Sequence, residues 1–341
     1  MLRLTELGTD ATEWNRFVRA QAGWTAFHLA AWKPLIEEIF GHQCHFLEAR
    51  DEAGQLEGIL PLVRVRSLLF GHYLVSMPFV NYGGPLGSEA AVKALVTKAS
   101  ELAADSGVKL LELRNRGPLP VELPVSHRKI TVVLDLPGEV ETLRKNLGAK
   151  LRSQIKRPEK EGLTVRFGPD QVDPFFAVFA HHMRDLGTPT QSRRLFREIA
   201  ARFGDEAWFG CVYQGEVPVA CGAGFAWGGE FEMTWASSLR AYNKLAPNML
   251  LYWAFMERAV QRRLTLFNFG RCTPGQGTHQ FKRQWGSRDE QLWWYQQGRG
   301  NGAVATPSPD DGVYSLGPRV WKRLPLPLAT ALGPAIVRGI P

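Results

Sequence analysis

The sequence contains few cysteines, and none of them lie close together. The four cysteines (Cys44, Cys211, Cys221 and Cys272) are spread over 341 residues and form no CxxC pair. Zinc knuckles and thioredoxin-like redox sites need such pairs, and disulfide-stabilised secreted domains need a denser set of cysteines. The spacing therefore excludes these classes and favours a protein of a reducing compartment.

Long hydrophobic runs are also absent. A membrane-spanning helix needs about 18 or more consecutive apolar residues, and no such stretch occurs. The N-terminal segment MLRLTELGTDATEW is interrupted by charges and lacks the apolar centre of a signal peptide. We therefore expect a cytoplasmic protein that does not span a membrane.

Several catalytic signatures are missing as well. The glycine-rich segment Gly270–Thr278 lacks the Gly-Lys-Ser/Thr ending of a phosphate-binding P-loop. No Ser-His-Asp or Cys-His pattern accompanies a nucleophile elbow, so covalent catalysis through serine or cysteine is not indicated. His181 and His182 have no partner at metal-ligand spacing, and we interpret them as surface residues of a helix.

What the sequence does have is an ordinary globular composition with a basic excess. Hydrophobic residues make up 45% and charged residues 22%, and 41 Lys and Arg against 33 Asp and Glu leave a net charge of +8. The composition excludes a disordered or collagen-like chain. The basic excess favours anionic partners such as nucleic acid, nucleotide-linked sugars, phosphorylated carriers or acidic lipid.

One succession of elements occurs twice along the chain. Around Gly54, and again around Gly215, a predicted hairpin is followed by a strand, a turn, a helix and another strand. This repetition predicts an α+β fold of two tandem domains with mixed, mostly antiparallel sheets. We place the first domain at residues 1–140, the second at residues 141–297, and a Gly/Pro-rich tail at residues 298–341.

Two further segments differ from the rest in charge and hydropathy. Arg144–Lys160 holds seven basic residues and one acid, and Arg152, Lys156 and Lys160 share one helical face. Such a run contacts a nucleic-acid backbone or simply forms a solvated face. Residues 320–341 are apolar, with four prolines that prevent one long helix. They pack on the protein or contact the inner face of a membrane.

A set of motifs resembles those of FemAB-like proteins. The motifs are Leu60–Ser67, Leu69–Gly71, Val75–Gly84, Lys150–Ile155, Asp185–Pro189, Trp235–Leu239, Pro247–Trp253, Asn268–Arg271 and Gln280–Gly286. The similarity is greatest to the branch associated with exosortase/PEP-CTERM and exopolysaccharide gene clusters. The resemblance implies two domains with the fold of the N-acetyltransferase (GNAT) superfamily. It also implies transfer of an acyl group to an amine, as Fem relatives transfer aminoacyl groups from tRNA to a cell-wall (peptidoglycan) precursor.

The resemblance also implies catalytic residues. Phe281 and Lys282 match a Phe-Lys pair of Fem transferases, in which the lysine stabilises the negative charge that develops on the carbonyl oxygen. Glu232 lies on the predicted strand that often carries a carboxylate base in this superfamily. For both Lys282 and Glu232, a solvent-exposed surface position is the alternative interpretation.

The side that binds the acyl donor is predicted at the start of the apolar helix that begins at Pro247. Asn248 follows Pro247, at a helix N-terminus whose free N–H groups favour an anion; ordinary capping is the alternative. The preceding turn, Ser238–Pro247, contains no glycine, unlike the coenzyme A cradle of the superfamily. That departure disfavours acyl-CoA and favours aminoacyl-tRNA or an acyl carrier protein as donor. Tyr252, in the same motif, and Arg271, a candidate anion clamp, complete the predicted donor side.

The acceptor is predicted to bind the first domain. Asn81, Tyr82, Gly83 and Gly84 form the turn that corresponds to the donor turn. Its two glycines allow a phosphate or sugar to approach the backbone closely, although a simple turn is equally consistent with the pattern.

We therefore predict a Fem-like N-acyltransferase that transfers an aminoacyl group, by direct attack, to an amine of an exopolysaccharide or cell-envelope precursor carried on a lipid or a nucleotide. One alternative is an N-acyltransferase that depends on acyl-CoA or an acyl carrier protein. Another is a non-catalytic glycan-binding or carrier-binding protein of an export system. No metal or resident cofactor is predicted. Peripheral contact with the inner membrane is expected through residues 320–341.

Overall fold

A computed structural model describes residues 2–67, 70–299 and 316–340 of the chain. The strands are β1 Arg3–Glu6, β2 Gln43–Arg50, β3 Leu56–Ser67, β4 Gly71–Val75, β5 Leu86–Gly87, β6 Leu110–Asn115, β7 Val125–Ser126, β8 Ile130–Asp135, β9 Leu163–Phe167, β10 Ala207–Gln214, β11 Val217–Trp227, β12 Glu230–Ser238, β13 Leu266–Cys272, β14 Arg288–Gln291 and β15 Trp293–Gly298. The α-helices are α1 Thr12–Ala20, α2 Trp32–Phe40, α3 Glu89–Asp105, α4 Val140–Asn146, α5 Ala149–Lys160, α6 Val172–Leu186, α7 Arg193–Phe203, α8 Pro247–Gln261, α9 Gly277–Arg283, α10 Leu316–Trp321 and α11 Leu326–Val337.

The strands form two sheets. The first has the order β1-β2-β3-β4-β6-β15-β7, with β5 paired to β3, and the second has the order β14-β8-β13-β12-β11-β10-β9. Strands β4 and β6 pair in parallel, as do β12 and β13. The pairs along β1-β2-β3-β4, β6-β15-β7 and β12-β11-β10-β9 are antiparallel. The mixed, mostly antiparallel α+β architecture predicted from the repeated pattern is therefore confirmed.

The chain separates into two compact units. The first consists of the described residues of Met1–Ile130, Glu290–Thr306 and Arg338–Pro341, and the second consists of those of Thr131–Asp289 and Pro307–Val337. The domain boundaries near residues 140 and 297 stay a prediction.

The core of the first unit lies between its sheet and helix α3. Ser88 begins this helix, and its hydroxyl accepts a hydrogen bond from the backbone N–H of Ala91. The small residues Ala91 and Ala99 let the helix approach the sheet, where they join a buried cluster with Leu60 and Leu111. This packing removes a continuous apolar surface from water, which stabilises the unit.

Helices cover the second sheet on both of its faces. Phe231 on β12 stacks on Phe255 of α8, with ring centroids 5.4 Å apart, whereas Trp235 contacts Phe196 of α7 at 5.3 Å. The register shifts by one residue between these two positions, because Thr234 is an extra residue opposite β11. This β-bulge moves Trp235 to the other face of the sheet, so the strict alternation expected from Glu230 to Trp235 is broken.

Strands β12 and β13 pair over only a few residues. Their parallel register joins Glu230, Phe231 and Glu232 to Leu266, Phe267 and Asn268, and the register of these two described strands extends no further towards their carboxyl ends. The two strands therefore separate from Glu232 and Asn268 onwards. We call this opening the fork.

The C-terminal segment forms two helices that pack on the second unit. Both α10 and α11 contact α6, so the tail packs on the second unit through one side, as one of the two interpretations expected, and its contact with a membrane stays a prediction. Pro325 lies between the two helices, immediately before α11, and the tail does not form one long helix, as the proline spacing predicted. Residues 300–315 of the predicted tail, and Leu69 of the motif Leu69–Gly71, lie outside the described residues. Among the described helices, none has the length and apolar character that crossing a bilayer requires.

Candidate functional site

A cavity of about 480 Å³ lies in the second unit where β12 ends and α8 begins. We call it the α8 cavity. Its lining residues come from α5, α6, α8, α9 and the turn after β12, and they are Gln154, His182, Ser238, Arg240, Asn243, Ala246, Pro247, Asn248, Met249, Phe281 and Gln284. Polar side chains from several elements thus converge on one pocket at a helix N-terminus, the arrangement typical of a ligand site.

The N-terminus of α8 is built for an electronegative ligand. Pro247 is the first helical residue, and Ala246 before it adopts the left-handed conformation with φ of 53°. The helix dipole places partial positive charge at this end. No side chain caps the helix, so the capping interpretation of Asn248 does not hold. Instead, the Asn248 side-chain oxygen is buried and has no hydrogen-bond partner among the described residues. A hydrogen-bond donor group on a bound ligand would pair with this oxygen.

His182 is the cavity residue that the sequence interpretation missed. The pair His181-His182 was expected on a helix surface, but His182 is half-buried and lines the α8 cavity. Its Nδ1 lies 2.9 Å from the carbonyl oxygen of Ser238, and because a carbonyl only accepts, Nδ1 carries the proton. Burial lowers the pKa of His182 below its usual value of 6.5, and the charge of Arg240 adds to this effect. At neutral pH, Nε2 therefore keeps a free lone pair.

Phe281 and Lys282 lie on different faces of α9. Phe281 lines the α8 cavity, together with Gln284 three residues later, whereas Lys282 is only 7% exposed and is not among the lining residues of that cavity. Consecutive helical residues differ by about 100° in direction, so a neighbouring pair on a helix cannot share one face. The structure thus separates the two residues that the resemblance placed in one site.

Lys282 is held beside the fork. Its ammonium group donates hydrogen bonds to the carbonyl oxygens of Gly270, at 2.7 Å, and Arg271, at 3.0 Å. Burial lowers the pKa of Lys282 to about 8, while the charges of Cys272 and Glu232 partly oppose that shift. The lysine is therefore mostly protonated at neutral pH, and the expectation of an exposed surface lysine is wrong.

Glu232 lies at the point where the fork opens. Its side chain is fully buried, with 0% exposure, so the surface interpretation of this residue is also wrong. The hydroxyl of Thr234 donates a weak hydrogen bond of 3.4 Å to its carboxylate. The negative charge of Glu232 acts on Lys282 and opposes the lowering of its pKa. Glu232 and Lys282 are therefore the two predicted catalytic residues that the structure brings close together.

A buried polar row beside Glu232 was not predicted as part of the site. The amide of Asn268 donates to Glu230 at 2.7 Å and accepts from the hydroxyl of Thr131 at 2.6 Å. The Asn268 oxygen also accepts from the backbone N–H of Gly270 at 2.8 Å. Each of these polar groups has a hydrogen-bond partner in a water-poor interior, so the row fixes β13 next to the fork.

Tyr252 and Arg271 occupy different surroundings. Tyr252 is buried among aromatic rings and lies 5.0 Å from the ring of Phe281, and burial raises its pKa. It supports the wall that carries Phe281 rather than lining the α8 cavity itself. Arg271, on β13, is half-exposed, and its backbone carbonyl is one of the two that bind Lys282.

The basic run forms a groove beside the cavity. A groove of about 600 Å³ follows α5 and is lined by Arg152, Lys156, Arg157 and Lys160, among others. Gln154 lines both this groove and the α8 cavity. The predicted shared face of Arg152, Lys156 and Lys160 is therefore confirmed. The guanidinium group of Arg152 also donates to backbone carbonyls at the end of α4, so this residue is structural as well.

The predicted acceptor turn lines a cavity of the first unit. Tyr82, Gly83 and Gly84 line this cavity of about 450 Å³, whereas Asn81 is buried and is not one of its lining residues. A Cβ atom at position 84 would lie 1.4 Å from the side-chain oxygen of Asn115, so any larger residue there would displace that side chain. That oxygen is buried and lacks a partner within the described part of the chain.

His28 holds the acceptor turn in place. Its Nδ1 accepts a hydrogen bond from the backbone N–H of Thr25 at 3.0 Å, so Nε2 carries the proton and donates to the carbonyl oxygen of Gly84 at 3.0 Å. Burial lowers the pKa of His28 to about 4. The neutral imidazole thus holds the backbone of the glycine turn in place through its hydrogen bond to Gly84.

Comparison with known proteins relates the second unit to a family. Residues 145–283 match the family model described as the acetyltransferase (GNAT) domain. No curated protein sequence matches the chain.

Solved structures of three proteins share the fold over most of the chain, and each is 13% identical to it in sequence. FemX superposes with a TM-score of 0.65, covering 85% of this chain and 97% of FemX. L-PGS from Bacillus licheniformis has a TM-score of 0.59, with coverages of 92% and 98%. A tandem GNAT protein from the clavulanic acid biosynthesis pathway has a TM-score of 0.51, with coverages of 89% and 100%. Residues 145–283 thus match a GNAT domain model, and the chain shares the fold of tandem GNAT proteins.

Proposed function

We propose that this chain is a Fem-like N-acyltransferase that transfers an aminoacyl group to an amine of an exopolysaccharide or cell-envelope precursor, in a setting such as an exosortase/PEP-CTERM export system. The observation that carries the proposal is the α8 cavity. It combines a helix N-terminus, the unpartnered oxygen of Asn248 and the free lone pair of His182. The GNAT match over residues 145–283 supports acyl transfer as the reaction.

These groups meet the chemical needs of amide formation. The attacking amine must lose a proton, and Nε2 of His182 accepts one. The donor's anionic or carbonyl oxygen is held by the positive end of α8 and by Arg240 at the cavity. Direct attack by the amine breaks the ester or thioester bond of the donor, forms the amide, and releases the carrier with its oxygen or sulfur protonated.

In the same proposal, Lys282 has a catalytic role only for one position of the acyl group. A protonated Lys282 beside the fork stabilises an oxyanion only if the acyl group enters between β12 and β13. Glu232, at the same opening, would then serve as the second proton acceptor. Lys282 also contributes indirectly, because its bonds to β13 fix the helix that carries Phe281.

An extended anionic donor fits the surface better than coenzyme A. The basic groove along α5 adjoins the α8 cavity through Gln154, so a long polyanion can occupy both. The turn before α8 lacks the glycines that allow a pyrophosphate to approach the backbone closely. We therefore favour aminoacyl-tRNA as donor, ahead of an acyl carrier protein and acyl-CoA. The cavity at Gly83 and Gly84 is the proposed acceptor side.

Incubation with each donor class separately tests the proposal. Aminoacyl-tRNA, acyl carrier protein and acyl-CoA are each supplied with lipid-linked and nucleotide-linked glycan amines, and mass spectrometry identifies the acylated product. We expect transfer from aminoacyl-tRNA. Transfer from acyl-CoA alone would replace the donor, and glycan binding without transfer from any donor would favour a non-catalytic binding protein.

An Asn248→Asp variant ties the activity to the α8 cavity. A carboxylate there stabilises the helix N-terminus but repels an anionic donor, so we expect unchanged or higher thermal stability and at least about tenfold weaker donor binding. The control is Asn248→Ser, which removes the amide without adding charge and should bind the donor more strongly than the Asp variant. Equal donor binding by the wild type and Asn248→Asp would remove this cavity from the proposal.

A further inference from the structure

The helix α11 presents an apolar face to solvent. Leu328 and Leu332 lie one turn apart, and each is 45% exposed. Ala331 and Ala335 are exposed on the same stripe, and no charged residue occurs from Leu324 to Val337. Large exposed apolar side chains arranged in a continuous stripe mark an interaction surface rather than ordinary solvent contact.

The opposite face fixes this helix to the body of the second unit. Ala329 and Gly333 are buried, and a Cβ atom on Gly333 would lie 2.8 Å from the backbone oxygen of Thr190. Arg184 on α6 donates a hydrogen bond of 3.1 Å to the carbonyl oxygen of Leu324, between α10 and α11. The apolar stripe is therefore preformed, and a partner gains contact with it without having to order the helix first.

Positive charge is concentrated in the segment that directly precedes α11 in the chain. From Gly312 to Pro341 the chain has four basic residues and no acidic residue, which is half of its net charge of +8. Arg319, Lys322 and Arg323 are exposed at α10 and just after it, and none forms an ion pair with another described residue. Val320, in the same stretch, is 63% exposed. The surface thus joins unpaired cations to an apolar stripe.

We propose that α10 and α11 form a docking surface for an anionic lipid bilayer. The cations contact the headgroups, and Leu328 and Leu332 enter the boundary between headgroups and acyl chains. The 12-residue helix α11, at about 1.5 Å per residue, is too short to cross the membrane and lies along its surface. An anionic bilayer supplies both chemistries that this surface presents, negative headgroups for the cations and acyl chains for the leucines, and this complementarity favours lipid as the occupant.

This surface has a direct structural relation to the α8 cavity. Helix α6 carries Arg184, which holds the link between α10 and α11, and also His182, which lines the cavity. The docking surface and the α8 cavity are thus connected through one helix. The docking itself does not depend on acyl transfer, and its test measures binding alone.

Vesicle sedimentation at low salt tests the proposal. The full-length protein is mixed with vesicles of phosphatidylcholine containing one-third phosphatidylglycerol, or of phosphatidylcholine alone. We expect binding to the anionic vesicles that weakens as salt is added. Because each Lys or Arg near such a surface contributes about 1 kcal/mol, Lys322→Ala with Arg323→Ala should reduce the partition coefficient by about 30-fold. The matched control removes two exposed cations elsewhere, Lys109 and Arg262, by the same substitution.

The apolar contribution is tested separately. Leu328→Glu with Leu332→Glu should lower vesicle binding at least about tenfold, whereas Val217→Glu, at a hydrophobic residue that is 49% exposed on β11, should leave it unchanged. Far-ultraviolet circular dichroism and thermal unfolding confirm that each variant is folded. Absence of binding to any vesicle would overturn the proposal. So would equal binding by all variants, or a concentration-dependent dimer that the leucine substitutions abolish.

Discussion

The ammonium group of Lys282 lies 2.7 Å from the carbonyl oxygen of Gly270 and donates a hydrogen bond to it. Gly270 belongs to the part of β13 that no longer pairs with β12, so the lysine binds the strand where the fork has opened. The sequence motif thus supplies a buried cation with two backbone partners, rather than a free cation in the α8 cavity. We therefore expect the stability of the chain to depend on Lys282.

The burial of Lys282 predicts a dependence of stability on alkaline pH. Its pKa is about 8 in the folded chain, against 10.5 for an ordinary lysine. Between these pH values the unfolded chain retains a proton that the folded chain has released, so the free energy of unfolding rises with pH. At about 1.4 kcal/mol for each pH unit, the rise is on the order of 3 kcal/mol. Urea denaturation at a series of pH values measures it.

Lys282→Met should lack this rise, because methionine fills a similar volume without a titrating group. The exposed Lys244→Met is the matched control and should retain the rise. Parallel stability curves for the wild type and Lys282→Met between pH 8 and 10.5 would show that Lys282 is not buried as a cation.

The burial of His28 predicts that the chain loses stability in acid. Its pKa is about 4 in the folded chain and 6.5 in an ordinary histidine. As the pH falls below 6.5, the unfolded chain takes up a proton that the folded chain does not, so the free energy of unfolding decreases until about pH 4. The expected loss is on the order of 3 kcal/mol. His28→Gln should be less stable at neutral pH but should show a shallower decline with acid. His72→Gln, on β4, is the control, and an identical decline in all three proteins would contradict the assignment.

The elements with strong local signals could be predicted from the sequence. Pro at the first helical position predicted the start of α8, which begins at Pro247. The repeated order of hairpin, strand, helix and strand indicated the fold class, because each unit must bury its own sheet under its own helix. The resemblance then indicated acyl transfer as the chemistry.

The features that decide the site could not be predicted in this way. The bulge at Thr234 comes from strand register, which is a pairing between distant segments. His182 reaches the α8 cavity only because α6 packs across the end of β12. The residues adjacent to His182 in sequence give no indication of that packing. For the same reason, the motif Phe281-Lys282 did not reveal that its two side chains point in different directions.

The basic groove along α5 predicts a salt-dependent contribution to binding of a tRNA donor. Lys156 and Lys160 are exposed on the groove, and each neutralised phosphate contributes about 0.7 to 0.9 to the slope of log affinity against log salt. Replacing both by alanine should therefore reduce that slope by about 1.4 to 1.8 and weaken binding at low salt. Filter binding at several salt concentrations measures it. The same pair of substitutions at Lys93 and Lys98 on α3 is the control, and an equal loss there would mean nonspecific attraction.

His182 gives the most direct test of the α8 cavity as the site of chemistry. If its Nε2 accepts the proton of the attacking amine, His182→Gln should lower kcat by about 100-fold or more and change KM little. The matched control is His181→Gln, because His181 is adjacent on α6 with its side chain 39% exposed and lies outside the lining of the cavity.

The pH profile separates a proton acceptor from a residue that only shapes the cavity. Because the pKa of His182 lies below 6.5, wild-type kcat should be level near neutral pH and fall in acid as the imidazole becomes protonated. His182→Gln should lose this acid limb while retaining a low, pH-independent rate. If the variant instead keeps the wild-type acid limb and loses only affinity, then His182 positions the substrate, and the proton acceptor must be sought at the fork, where Glu232 lies beside Lys282.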